Sequence, residues 1–394
     1  MRRLKILLFK KGGGAGSLDV YRLWDCRDAL LSLEHEVTIF NLLKHGNSKG
    51  ELLKELGALI DEFHPDVVFF TSTDRAVLEF LTSKEIPYGD WLLDDPLFWD
   101  LRGFCSLYGY LFAIDRAWIS RIKKESLNNV FYLPLGVNPK VYREVELTEE
   151  EIRRYSCDVS FVGNAYRCFY ERYYLDEIKK ESSLEFKGVL DEALRVQKEN
   201  PLLEMSDILE VVQEKYHYPF VFKSDIERES FELGLGFAAS SLCRKEIVEE
   251  LAVGIRVYGD EDWCRWPPGK FEYRGRIVYR KEKVKLYNAC KVVIGATLFH
   301  LRTALTVRPF QVPACGGFII DDYRDDLGRH FELGKEMICY RNKKELRELV
   351  EYFLKHPKER EEITQRAKAK ILKEHTFKQR MEEAVKILRT TFNL

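Results

Sequence analysis

Short unbroken apolar runs, each closed by a turn and followed by a helical pattern, recur along most of this chain. Lys5-Ile6-Leu7-Leu8-Phe9, Glu36–Phe40 and Asp66–Phe70 alternate with segments whose apolar residues fall at helical spacing, such as Leu52, Leu53, Leu56, Leu59 and Ile60. A strand that is apolar on both faces must be covered on both faces, and parallel βαβ units supply that cover. The pattern continues through Ile86–Tyr88, Trp91–Pro96 and Asn129–Leu133. It restarts at Asp158–Asn164 and resumes at Ile255–Gly259, Arg276–Tyr279, Val292–Ile294, Phe318–Ile320 and Met337–Tyr340. The expectation is an α/β protein with two doubly wound parallel sheets. Residues 1–143 would form the first domain and 155–375 the second, joined by a charged connector, Glu144–Arg154. The stretch of about 169–251 is largely helical and longer than a βαβ crossover needs, so it reads as an insertion. Pro357 suits the first turn of a helix, and Thr376-Phe377-Lys378-Gln379 is a capping-box start for a last helix over 376–394.

Composition bounds the rest. At 394 residues, 45% hydrophobic and 32% charged, the chain has the balance of a globular enzyme, and a formal charge of −1 argues against a dedicated nucleic-acid partner. Nine cysteines without a C-x-x-C pair suit a reducing compartment, so a cytoplasmic location is expected. No apolar run approaches the length of a transmembrane segment.

The most informative stretch is Arg308 to Asp322, RPFQVPACGGFIIDD, followed by Gly334-Lys335-Glu336 and Tyr340, then Glu345-Leu346. A short helix, a Gly pair and an apolar strand ending in acidic residues are predicted. In wording and context this resembles the donor-binding segment of GT-B glycosyltransferases, most closely the group related to spore maturation protein CgeB. Phe161-Val162-Gly163-Asn164 resembles that group's turn at the start of the second domain, and Pro134-Leu135-Gly136-Val137-Asn138 its exit from the first. The resemblance implies two Rossmann-like domains facing a cleft, with the last helix crossing back onto the first. It also implies transfer of a sugar, of hexosyltransferase type, from a nucleotide-activated donor to a sugar, protein or lipid-linked acceptor. Retention of configuration is implied, with the donor as co-substrate, no other cofactor and no metal.

Candidate donor-binding residues on this reading are Gly163, Asn164, Arg167, Tyr258, Tyr279, Arg308, Gln311, Gly316 and Gly317. Arg308 would fork onto phosphate oxygens, the alternative being a solvated helix residue, and the Gly pair would let the donor touch backbone. Relatives place carboxylates where this chain has Gln311 and, eight positions earlier, Thr303. A catalytically inactive sugar-nucleotide binder is therefore an alternative, as is a GT-B epimerase. Asp94 and Asp95, in an Asp-Asp-Pro turn closed by Pro96, are candidates to orient an acceptor hydroxyl. The loop Gly12–Ser17 lacks dinucleotide-binding spacing; it either shapes a phosphate or acceptor site or simply turns the chain. Asp260-Glu261-Asp262 matches the D-x-D metal motif of another transferase fold, but three residues carry little information. His45, His64, His217, His300 and His330 are isolated, without ligand-like spacing.

Overall fold

The computed structural model of the chain describes residues 2–10, 18–41, 49–71, 75–95, 107–124, 129–251, 254–267, 269 and 271–392. The Gly12–Ser17 loop, His45 and Pro96 lie outside them. Two compact units are formed, one by Met1–Pro139 with Ile371–Leu394, the other by Lys140–Lys370.

The first unit holds a parallel sheet of β1 (Lys5–Lys10), β2 (Glu36–Asn41), β3 (Val67–Phe70), β4 (Tyr88–Leu92), β5 (Gly109–Ala113) and β6 (Val130–Tyr132), in the order β2-β1-β3-β4-β5-β6. β3, β4 and β5 are buried at every position; this follows from the apolar runs of β3 and β5, whereas β4 carries the buried Asp90. Phe9, Phe40, Phe70 and Tyr88 pack with Leu52, Leu56 and Ile60 of the helix Lys49–Phe63 on one face. The last helix, Phe377–Phe392, belongs to this unit and packs on the helix Leu18–Ser32. Its start is fixed by a short parallel bridge between Val137 and Thr376, with Val137 N–H donating to His375 O at 2.9 Å and Phe377 N–H to Val137 O at 2.9 Å. The Arg380 guanidinium donates to Leu135 O at 3.1 Å, and Trp91 meets Phe377 edge-on.

The second unit repeats the plan with β7 (Val159–Val162), β8 (Ile255–Tyr258), β9 (Phe271–Tyr273), β10 (Val292–Ile294), β11 (Ile319–Asp322) and β12 (Ile338–Tyr340), all parallel. Their order is β12-β11-β10-β7-β8-β9. Chain direction across the sheet reverses between β7 and β10, where Val292, Val293 and Ile294 pair with Val159, Ser160 and Phe161. The expected strand Arg276–Tyr279 is not one: Gly275 turns the chain at φ 80°, and the edge strand is Phe271–Tyr273 instead. The connector Glu144–Arg154 contains a helix, Glu149–Tyr155, held by a full capping box between Thr148 and Glu151.

Between β7 and β8 lies the helical insertion. Its main helices are Leu184–Glu199, Met205–Tyr216 and Asp225–Glu250, and the first and last of these are capped by Ser183 and Ser224. It has a core of its own, including Phe186, Val189, Leu190, Ile208, Leu209, Leu235 and Ala238, into which Phe299 from the segment after β10 is inserted. Small residues let the long helix pack closely; a side chain at Gly234 would overlap the Tyr173 ring. No described helix is long and apolar enough to cross a membrane.

The exit turn of the first unit gives a direct test. A Cβ added at Gly136 would lie 2.8 Å from His375 O, so Gly136→Ala should cost about 1–3 kcal/mol through overpacking. Urea unfolding should show a lower midpoint with an unchanged m-value; an unaltered midpoint would mean that the turn has room.

Candidate functional site

In an open parallel sheet the crevice beyond the carboxyl ends of the strands, where the order reverses, is the place for a ligand. In the second unit that point is flanked by Gly163-Asn164 after β7 and Gly295-Ala296-Thr297 after β10. The first turn is tied to its neighbour strand: Gly163 N–H donates to Tyr258 O at 2.9 Å, and Trp263 Nε1 donates to Gly163 O at 2.8 Å. Gly259 is required here, since a Cβ would overlap Gly163 O. The acidic triplet holds the segment beyond. Asp260 accepts from Ala165 N–H at 2.8 Å; Asp262 accepts from Cys168 N–H at 2.9 Å and pairs with Arg265 at 2.9 Å. The two carboxylates of the D-x-D match are therefore engaged in shaping a loop.

Two buried guanidiniums converge beneath this edge. Arg308, 7% exposed, donates to Val162 O at 3.1 Å and to Ala296 O at 2.8 Å. Arg244, 4% exposed and borne by the long insertion helix, donates to Asn164 O at 2.7 Å and to the same Ala296 O at 2.8 Å. Neither makes an ion pair among the described residues, and the Nε of each is buried without a hydrogen-bond partner. Burial, with a contribution from Arg308, pulls the Arg244 pKa down to about 10. The nearest balance for Arg308 is Asp321, a buried carboxyl whose pKa is pushed up to about 7 by burial and by Asp322 and pulled down by Arg308. Asp321 rests against Gly295, where a Cβ would overlap its carboxylate.

The alternative of a solvated helix residue does not hold for Arg308, which is buried with its guanidinium on two backbone carbonyls. Arg244 was not singled out from sequence. Its signal was an arginine ending an uncharged, small-residue run, Leu233–Cys243, inside an otherwise charged insertion.

Gln311 lies one helical turn after Arg308 in Arg308–Ala314, 2% exposed, with Nε2 donating to the Tyr279 hydroxyl at 3.3 Å. Whichever way the amide is turned, one polar atom meets Tyr279 and the other is buried without a partner. Tyr279 also opens a tight turn: Lys281 N–H donates to Tyr279 O at 3.0 Å around Arg280, whose φ of 68° and ψ of −66° are strained for a residue with a side chain. The structure thus brings Arg308, Gln311 and Tyr279 into one group and places Gly163 and Asn164 beside Arg308 and Arg244.

Other candidates fall elsewhere. Gly316 and Gly317 precede β11 in a parallel sheet, so they occupy its amino edge, opposite the carboxyl ends. Gly316, at φ 76°, ends the helix, and Gly317 fits where a Cβ would overlap Tyr287 O. Their smallness serves capping and packing, not contact with a ligand at the crevice. Arg167 pairs with Glu171 at 3.0 Å and stacks over Trp266. The Tyr258 ring lines a separate pocket of about 210 Å³ with Tyr155, Arg274 and Arg276. Thr303 donates to the buried Asp326 at 3.3 Å. His300 stacks on Phe237, and burial plus Arg302, Arg244 and Arg324 push its pKa down to about 3, so it is neutral. In the first unit Asp94 is exposed just beyond β4, while Asp95 is buried and ion-paired with Arg121.

Removing Arg308 takes the guanidinium from Val162 O and leaves Ala296 O to Arg244 alone, so Arg308→Met should lose about 1–3 kcal/mol of stability by chemical denaturation. Arg308→Lys should recover little of it, since one ammonium cannot span both carbonyls; full recovery would overturn the clamp. Asp321 predicts a pH effect. Its raised pKa means that the folded chain keeps a proton which the unfolded chain releases from about pH 4. Its contribution to stability is thus greatest in acid and falls as pH rises to about 7. Asp321→Asn should flatten that decline in stability between pH 4 and 7; a parallel profile would show that the carboxyl does not titrate there.

Comparison with known proteins bears on this geometry. Residues 242–386, running from the long insertion helix through β8–β12 and beyond, match the family described as Glycosyl transferase-like. No curated protein sequence matches the chain. Among solved structures, a glycosyltransferase from Rickettsia africae ESF-5 is 11% identical, covers 100% of this chain and 99% of its own, and has a TM-score of 0.55. Sucrose-phosphate synthase from Thermosynechococcus elongatus is 9% identical over 99% of this chain and 100% of its own, with a TM-score of 0.57. HepE from Anabaena, solved with UDP-glucose, is 11% identical over 98% of this chain and 100% of its own, with a TM-score of 0.56. The two parallel six-stranded sheets with flanking helices are the GT-B fold of these glycosyltransferase structures.

Proposed function

We propose that this protein is a CgeB-like, cytoplasmic glycosyltransferase of hexosyltransferase type, moving a sugar from a nucleoside diphosphate to a sugar, protein or lipid-linked acceptor with retention and without a metal. The observation that carries this reading is the pair of guanidiniums, Arg244 and Arg308, buried without carboxylate partners at the strand-order reversal. In the reaction the bond from the anomeric carbon to the β-phosphate oxygen breaks with its electron pair left on that oxygen, and a bond to the acceptor oxygen forms. The acceptor hydroxyl's proton passes to the departing phosphate oxygen, and negative charge builds on the diphosphate before that proton arrives. Fixed positive charge in a site of low dielectric favours that charge without reorganisation. The guanidiniums act through the backbone turns they hold and through their field, since their N–H groups are mostly occupied by carbonyls. Gln311, with Tyr279, would take a ribose hydroxyl through its spare polar atom. A metal-free reaction is supported by the engagement of Asp260 and Asp262 with backbone amides. The Anabaena neighbour solved with UDP-glucose supports the choice of UDP as first probe. Asp94 remains the candidate to orient the acceptor.

A second reading, an inactive sugar-nucleotide binder, is favoured by one observation: Thr303 and Gln311 bring no charge of their own where relatives carry carboxylates. Thermal shift with UDP and UDP-glucose in EDTA should raise stability by about 2.7 kcal/mol at 100 times the dissociation constant. Gln311→Ala should weaken UDP by about 0.5–1.5 kcal/mol. A changed melting temperature with unchanged UDP affinity would make Gln311 a packing partner of Tyr279 only. Turnover of UDP-glucose separates enzyme from binder: if only Gln311→Glu turns over, the natural chain is a binder.

A further inference from the structure

The helical insertion and the carboxyl ends of β10, β11 and β12 enclose a pocket of about 400 Å³, within the size range of small-molecule sites. None of Gly163, Asn164, Tyr279 and Gln311 lines it, although Arg244, Ala296 and Thr297 stand between it and the crevice and line it from that side. Its walls include Ile247, Phe299 and Tyr340, and its mouth carries Leu202 and Leu203, which are 37% and 43% exposed. The charges that reach it do not cancel. Lys198 pairs with Glu246, Glu199 with Arg195, and the 1%-exposed Arg324 with Asp322. Arg244 in the wall and the exposed Arg341 over the Tyr323 ring make no ion pair among the described residues. The buried Nε atoms of Arg244 and Arg324 also lack hydrogen-bond partners.

We infer that this pocket is a second small-molecule site, taking an organic anion with an apolar body, separate from the crevice at Gly163-Asn164. The excess positive charge selects a phosphate monoester or a carboxylate, and the leucine mouth with its aromatic walls selects against the bare ion. The pocket shares Arg244, Ala296 and Thr297 with the edge on which the donor reading rests, but its remaining walls, from Lys198 to Leu203 and at Tyr323, Arg324, Tyr340 and Arg341, have no part in that reading.

The test is calorimetric titration with phenyl phosphate, benzoate, inorganic phosphate and phenol, alongside UDP. Phenyl phosphate or benzoate should bind at least tenfold more tightly than either inorganic phosphate or phenol, and the better of the two identifies the anion. Two exposed positions give variants that keep the fold, checked by circular dichroism. Arg341→Glu should weaken the organic anion at least tenfold, and Leu203→Trp, which fills the mouth, should abolish its binding. Both should leave UDP affinity unchanged. Inorganic phosphate binding as tightly as phenyl phosphate, no binding of either aromatic anion, indifference to both variants, or competition between phenyl phosphate and UDP would each overturn the proposal. Loss of UDP binding alone would overturn only the donor reading.

Discussion

One carbonyl, that of Ala296, receives a guanidinium from each of two elements far apart in the chain, and the carboxyl edge of the second sheet depends on it. Arg308 ties Ala296 to the end of β7, and Arg244 ties it to the turn beyond. Burying two like charges this closely is costly, and nothing in apolar packing would favour it. The carbonyl bonds offset part of the cost, and Asp321, whose pKa is raised to about 7, adds counter-charge only as the pH rises past that value. The result is a rigid turn pair with uncompensated positive charge beneath it. Such an arrangement is poor as a stabilising device and good as a site for an anion.

Around that clamp, backbone closeness is achieved by glycine at the positions that need it. Gly259 and Gly295 stand where a Cβ would overlap a carbonyl or a carboxylate. The insertion then locks the second turn from the other side: Phe299 enters its core, and Phe299 N–H donates to Ser240 Oγ at 3.0 Å. The insertion is thus part of what shapes the edge, since it supplies both Arg244 and the socket for Phe299.

Much of the fold was legible because buried parallel strands write themselves as apolar runs. Val292–Ile294, Val67–Phe70 and Val159–Val162 are buried at each position. Gly109–Ala113 escaped notice because it begins at a glycine and no helical pattern precedes it to mark a βαβ unit. Ile277-Val278-Tyr279 misled for the opposite reason: it is an apolar run, yet Val278 is 53% exposed. Arg308, Gln311 and Tyr279 were each named by resemblance, but the resemblance grouped the first two with Gly316 and Gly317 and not with Tyr279. That Arg308 faces inward was not legible, since its partner Val162 is 146 residues away and helical periodicity carries no information about such a contact. Gly316 and Gly317 were visible as a turn, but which edge of the sheet they occupy follows only from the parallel strand order.

The return of Ile371–Leu394 to the first unit has a consequence for biosynthesis. A ribosome delivers the sheet β1–β6 first, yet the helix that covers the Leu18–Ser32 helix emerges only after the whole of the second unit. Until residues 371–394 emerge, the earlier domain carries an uncovered apolar face, while the later domain already has all of its residues. Order of synthesis and order of completion are therefore inverted. The nascent first unit must wait with that face exposed to chaperones or to neighbours, and a premature stop after Lys370 would leave the two halves unequally finished.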